Sequence, residues 1–570
     1  MKYKRAAARQ INRRAGVGWL AVLAIGLALV GCSLNGGQVQ DPGAAGETRP
    51  AVLTQPAVET LPAAEIQPAE TAPPPAAASP QPGAVLATPE PGVSTAGETV
   101  ELDPQAALLT KEDLDVPALT GAGRYAIDLK LDFAEHRFDG RMQLETTNRE
   151  DIPLDELYFR LLPNSRSSYG DGSLTVSRAT VDGQPVEMEL SNSNTVLRVE
   201  LGRSLAPGEQ ALVEMDFSGQ VPADFGGAGS EVGYGIYNFS ENVLSLAGWY
   251  PILAVYDEDG WNLDPVSDMG DSVYSDAAFY AVQVDAPADV VIAASGVETG
   301  RQVTGDTAQT LFQSGPVRDF YLIASPDFAT VSRTVDGTEV KSHYLPGYET
   351  AGRQALEITA DSLEIFNRRF GMYPYRELDV AQAPLRYALG VEFPGIFLVG
   401  SDLYNKPDGP DFQVATAHET AHQWWYNVVG NDVFDEPWLD EGLTTYSSSL
   451  YYEDALGEDY RMGLVDYWQK RYNKLRSDGE DDQVTQPLGY FETLGRPRVY
   501  GGVVYTKAAL FFDALRQEIG DAAFFAALQA YYQAHRYGTA TAPDLLGAFE
   551  AAAGRSLQDF YQIWLYQKGP

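Results

Sequence analysis

The chain has 570 residues, 44% hydrophobic and 11% aromatic, which is ample for packed cores in two or three domains. Its 40 Lys and Arg against 79 Asp and Glu give a formal net charge of -39, so it repels phosphate backbones and a nucleic-acid partner is excluded; the charge reads as a solvated surface. A single cysteine excludes an internal disulfide and any cysteine-rich metal site.

The first segment is basic and then apolar. Lys2, Lys4, Arg5, Arg9, Arg13 and Arg14 precede VGWLAVLAIGLALVGC, an apolar stretch of signal-peptide length. It ends in Leu29-Val30-Gly31-Cys32, which resembles a bacterial lipobox, where small residues precede a cysteine that receives lipid. That resemblance implies a signal peptide over residues 1–31, lipid on Cys32, and an extracytoplasmic lipoprotein anchored to a membrane. The alternative is a plain transmembrane anchor with Cys32 inside it. Both readings put the rest of the chain outside the cytoplasm and tie it to a membrane.

From residue 32 to 115 the chain is rich in Pro, Ala, Thr, Glu and Gly, as in TAPPPAAASPQPGAVLATPEPG. It has no sustained apolar periodicity and too little apolar surface to offset ordering entropy, so a disordered tether is expected.

Alternation begins at Tyr125. In YAIDLKLDF, Tyr125, Ile127, Leu129, Leu131 and Phe133 fall on one face and Asp128, Lys130 and Asp132 on the other, the period of a half-buried strand. Leu197, Val199 and Leu201 repeat it, as do Val213, Met215 and Phe217, and Asp182-Gly183 signals a hairpin. Residues 116–335 therefore read as a β domain of antiparallel sheets. The period then changes. Leu356, Ala360, Leu363, Phe366 and Phe370 lie three or four apart, with Gly371 as a stop. ELDVAQAP and GIFLVG read as strands, and helical segments follow to the end. Residues 336–570 form the second, mainly helical domain.

The chemistry concentrates at HETAH. The chain has five histidines, and His418 and His422 are four apart. On a helix, residues i and i+4 share a face, so the pair can bind one zinc ion. Glu419 stands beside the first ligand, where a carboxylate can take a proton from attacking water. The structural alternative is an amphipathic helix with two solvated histidines. A second helix start follows in NDVFDEPWLDEGLTTYSS, with Asp435 as a cap and Pro437 in the first turn. That places Glu441 in the first or second turn, where it can be a third ligand and leave one position open. Its structural alternative is a solvated or capping carboxylate.

HETAH, eighteen intervening residues and the glutamate of WLDEG together resemble the zinc aminopeptidases of the aminopeptidase N and leukotriene hydrolase type. HQWWYNVVG looks like that family's run after the first motif, ALGVEFPG like its exopeptidase motif, and GVVYTKA like its catalytic-tyrosine segment. The terminal FYQIWLYQKGP looks like the close of its catalytic domain.

The resemblance covers roughly residues 118–570. It implies an α+β multidomain fold, an N-terminal antiparallel β domain followed by a thermolysin-like, mainly helical zinc peptidase domain. It also implies one zinc ion on His418, His422 and Glu441, with Glu419 as general base. Tyr505 is implied to stabilise the oxyanion and Glu392 to bind the α-amine of a peptide substrate.

Two departures temper this. The family's Gly-x-Met-Glu-Asn reads here Leu389-Gly390-Val391-Glu392-Phe393. The segment that often supplies a second amine-binding acid matches SLAGWYP, with Ser245 at the position and no acid evident. Because the chain also closes with the catalytic segment, an open site is expected. Removal of N-terminal residues is the leading reading. The alternatives are a zinc peptidase of internal or unusual specificity, and a non-catalytic surface binding protein on the same scaffold.

Overall fold

The computed structural model describes residues 101–227, 232–267, 269–270 and 273–569. The signal peptide, Cys32 and the tether up to residue 100 lie outside these residues. Among the described residues no helix is long and apolar enough to cross a membrane.

The β half is built on an eight-stranded sheet. Its order is Val297–Thr304, Thr307–Gln313, Phe279–Pro287, Arg124–Asp132, Arg137–Thr147, Gln210–Gln220, Ser173–Val181 and Gln184–Pro185. The alternation read from the sequence is what the sheet buries: Tyr125, Ile127, Leu129 and Leu131 point inward, as do Val213, Met215 and Phe217. Asp182 and Gly183 turn the chain with positive φ, 49° and 75°, the geometry a tight hairpin needs. One pairing departs from the antiparallel expectation. Arg124–Asp132 runs parallel to Phe279–Pro287, because the chain leaves this sheet after Gln220 and a long connection brings it back beside the first strand. Two four-stranded sheets and a two-stranded one are also in this half, one of the four-stranded sheets carrying Val243–Leu246 beside Leu322–Ser325.

Residues 101–115 correct the expected tether. They form one-turn helices at Pro104–Ala107 and Lys111–Leu114. Leu108 is fully buried, the Leu109 amide donates to the Pro374 carbonyl at 2.9 Å, and Asp113 pairs with Arg536 at 2.5 Å. The local sequence has no periodicity, but a few apolar side chains inserted into a preformed groove suffice to order it.

The boundary at residues 335 and 336 also moves. Ala329–Val335 and Thr338–Tyr344 are two arms of one hairpin. They begin a five-stranded mixed sheet that continues through Glu377–Ala383 and Ile396–Gly400 to Gly390–Phe393. The catalytic half therefore starts near residue 329. Sequence alternation in that hairpin looks no different from the strands before it, so the change of sheet leaves no local signal.

Helix Glu349–Phe370 buries Leu356, Ala360, Leu363, Phe366 and Phe370 and ends at Gly371, φ 132°. It packs on helix Pro410–Ala421, which in turn packs on helix Trp438–Tyr451. The expected Asp435 cap is not observed. Pro437 occupies the cap position of helix Trp438–Tyr451 without a side-chain bond. Asp432 instead accepts from the Phe434 and Asp435 amides, so the stabilised turn lies earlier and the proline, expected in the first turn, stands just before it.

Candidate active site

Helix Pro410–Ala421 carries His418 in its last turn, and His422 follows directly with φ -58° and ψ -19°, so the four-residue spacing keeps both rings on one face. Neither is solvated: they are 2% and 1% exposed, which removes the reading of two surface histidines. Their Nε2 atoms stand 3.1 Å apart. Glu441, from helix Trp438–Tyr451, brings Oε2 to 3.3 Å from His418 Nε2 and 3.5 Å from His422 Nε2. A tetrahedral ion with bonds of about 2.0–2.1 Å keeps its ligand atoms roughly 3.3–3.4 Å apart. The three atoms thus already form one face of such a coordination shell, and the residues fit one metal ion.

The surroundings orient these ligands. His422 Nδ1–H donates to the Trp425 carbonyl at 3.1 Å, with the Thr444 hydroxyl 3.3 Å from the same nitrogen. This leaves the Nε2 lone pair facing the other two ligands. Tyr505 donates to Glu441 Oε1, the oxygen turned away from the histidines, and its ring lies nearly parallel to His418. Tyr505 comes from Gly501–Lys507, wide π-type turns that run into helix Ala508–Ile519. Such turns re-aim side chains and are frequent at functional sites.

Glu419 needs the glycine before it in space. A Cβ on Gly390 would lie 2.5 Å from both Glu419 Cγ and Oε1, so the carboxylate rests directly on the backbone of strand Gly390–Phe393. Glu392, two residues on, points to the same side of that strand, with Oε1 3.8 Å from His422 Nε2. Gly390–Phe393 is the outer strand of its sheet, so its outward backbone groups can pair with an extended peptide.

The electrostatics of the cluster favour a cation. Burial lowers the His418 pKa. Burial also works against a proton on His422, yet the carboxylates of Glu392, Glu441 and Glu419 overcome it and hold His422 well above the usual imidazole range. Burial alone would raise Glu441, but the two histidines hold it well below the usual carboxylate range. Three buried carboxylates facing two imidazoles keep a positive charge in the cluster, and a divalent ion meets that demand in place of protons.

The cavity has two adjoining compartments that share part of their lining. The outer one is lined by the metal trio with Glu419, Tyr505 and Gly390. Glu392, Tyr234, Ile236, Gly270 and Val391 line both. The inner one reaches Phe393, Tyr426 and Asp319.

Asp319 and Asp440 were not singled out from the sequence. Asp440 lies within reach of His422 and Glu392 and accepts from Asn431 Nδ2 at 3.0 Å; its one signal was standing next to Glu441. Asp319 belongs to VRDFYLIAS, where an acid interrupts an apolar run, a signal available in the sequence. Ser245, the expected counterpart of a second amine-binding residue, lies beside the Tyr321 hydroxyl in the strand behind and is not among the residues lining either compartment.

Comparison with known proteins agrees with this geometry. The model described as "Peptidase family M1 domain" matches residues 354–564. Aminopeptidase M1 of Arabidopsis thaliana is 26% identical over 51% of the chain, and aminopeptidase N of Streptomyces lividans 28% identical over 38%. These alignments take in only 34% and 26% of the relatives' own lengths.

Among solved structures, an M1 zinc metallopeptidase from Deinococcus radiodurans superposes with a TM-score of 0.58 at 21% identity. That match covers 79% of this chain and 94% of the other. A mutant of that protein, bound to a Tyr-Ser-Ala substrate, matches with a TM-score of 0.57 at 22% identity, over 79% of this chain and 95% of the other. Residues 354–564 match the peptidase family M1 domain, and the described chain has the fold of the M1 zinc metallopeptidases.

Proposed function

We propose that the protein is a zinc-dependent aminopeptidase that removes residues from the free N-terminus of peptides, held outside the cytoplasm by lipid on Cys32. The observation that carries the catalytic reading is the trio of ligand atoms 3.1 to 3.5 Å apart with Glu419 beside it in one cavity.

His418, His422 and Glu441 would hold the zinc ion. When bound, it supplies a Lewis acid that polarises a carbonyl oxygen and makes water acidic near neutral pH. The chain's own groups do the rest. Glu419, lying on the Gly390 backbone, takes the proton of the attacking water and delivers it to the leaving amine. The Tyr505 hydroxyl, which donates to the far oxygen of Glu441 in the free chain, stands at the rim of the metal position and turns its one proton to the oxygen that gains charge. Glu392 accepts the substrate's α-ammonium, a charge-assisted contact that an internal peptide segment cannot make. The outer strand Gly390–Phe393 pairs with the extended peptide and sets its direction. The similar Deinococcus mutant, bound to a Tyr-Ser-Ala substrate, supports a peptide as the substrate.

The test is Glu419→Gln. Zinc content should stay at one ion per chain while turnover of a free peptide falls by roughly 10²- to 10⁴-fold or more. Undiminished turnover would remove Glu419 from the mechanism. The anchor rests on the lone Cys32 at the end of the apolar N-terminal segment. Expressed in a bacterium, the chain should incorporate labelled fatty acid and Cys32→Ala should not; no label on the unaltered chain would contradict lipidation.

A further inference from the structure

The inner compartment has a charge that the mechanism does not use. Asp319 is 4% exposed and lines this compartment. Among the described residues no hydrogen bond or ion pair reaches its carboxylate, and burial alone pushes its pKa up to about 7. Buried carboxylates are normally paired, because an isolated ionised group in a poorly solvated place is costly. Other acids at this site have partners: Glu441 with both histidines, Glu392 with His422, Asp440 with Asn431.

The neighbours of Asp319 define what enters. Tyr169, Tyr234, Ile236, Val273, Phe393 and Tyr426 form apolar and aromatic walls. Several of them are rigidly held. Tyr426 has φ 93°, its carbonyl accepts from Arg318 Nε at 2.7 Å, and its hydroxyl donates to the Val273 carbonyl. Phe393 stacks on Tyr321 at 3.9 Å. Asp319, Glu392 and Tyr426 all line this compartment, so the two acids face one space. Glu392 is the point where the compartments meet. A residue with its α-amine at Glu392 and its carbonyl among His418, His422 and Glu441 has its side chain left to fill the inner compartment.

Resting on the aminopeptidase reading above, we propose that the inner compartment is the pocket for the substrate's first side chain, and that Asp319 makes it select a basic one, lysine or arginine. Methylene groups of such a side chain lie along the aromatic walls, and its cation meets the one carboxylate at the inner end. A neutral side chain fills the same walls but leaves Asp319 buried and unmatched, so discrimination comes from that penalty as well as from the new contact.

The test separates charge from shape. Binding of L-arginine amide and of its neutral isostere L-citrulline amide to the full-length, zinc-loaded protein is measured by calorimetry. Arginine amide should bind at least tenfold tighter, and Asp319→Asn should erase the difference. Equal binding in the unaltered protein, or an unchanged ratio in the variant, would overturn the proposal. In parallel, kcat/KM is measured for arginyl and methionyl fluorogenic amides. Asp319→Asn should lower the arginyl-to-methionyl ratio at least tenfold. An equal loss on both amides would assign Asp319 to the shared α-amine and overturn basic selection. Arginine discrimination without turnover of any amide would leave the pocket standing and remove the aminopeptidase reading, so the two fail separately.

Discussion

At the scale of single residues, the site depends on where carboxylates are left without water. Asp319 gives a pH signature. Its carboxyl titrates near 7 in the folded protein, raised by burial from an ordinary value of 3.8. An acid raised in this way contributes full stability below its unfolded pKa and loses it as pH climbs through the folded value. The window is therefore about pH 4 to 7. Unliganded Asp319→Asn should match the unaltered protein more closely at pH 5 and exceed it at pH 8, by on the order of a few kcal/mol. Denaturant unfolding at the two pH values checks this; a difference that does not change with pH would contradict it. The residues that meet at the metal position were legible in the sequence, because helix periodicity turns a spacing of four into a shared face. Asp319 carried a weaker signal. It is nearly a hundred residues from His418 in sequence, and only the assembly of two sheets brings it to the cavity.

At the scale of elements, two helices supply the ligands and their spacing is set by contact. A Cβ on Gly442 would lie 2.5 Å from Ala508 Cβ and 3.3 Å from the Val504 carbonyl. Helices Trp438–Tyr451 and Ala508–Ile519 therefore approach as closely as backbones permit, and Gly442 is the residue after Glu441. Gly442→Ala should force them apart at a cost of about 1–3 kcal/mol and draw Glu441 off the histidines. Thermal unfolding and zinc titration together should show lower stability and weaker binding; a variant unaltered in both would contradict this reading. The helix Glu349–Phe370 and its glycine stop were readable from apolar spacing. The cap of helix Trp438–Tyr451 was not, because Asp432 and Asp435 offer the same chemistry and only the path of the turn decides between them.

At the scale of the whole molecule, the β half completes the site. Arg318, from this half, is buried and donates to the carbonyls of Tyr426 at 2.7 Å, Ser275 at 2.9 Å and Gly538 at 2.5 Å. Two of these acceptors lie in the catalytic half. Arg318→Leu strands all three carbonyls at roughly 1–3 kcal/mol each, so the melting temperature should fall by several degrees and kcat/KM should fall with it. A variant with unaltered melting and kinetics would show that Arg318 does not couple the halves. The division into a β half and a helical half followed from the change of period near residue 350. Its position could not, because hairpin Ala329–Tyr344 alternates like the strands before it and is assigned by its pairing to Glu377–Ala383.

If Glu392 meets a free amine beside the zinc site, a blocked N-terminus prevents cleavage. The most direct measurement uses the zinc-loaded protein and one peptide in two forms, with a free and with an acetylated N-terminus, followed by mass spectrometry. Stepwise loss of single residues from the free form, with the acetylated form intact, is the expected result. Internal fragments released equally from both forms would contradict it.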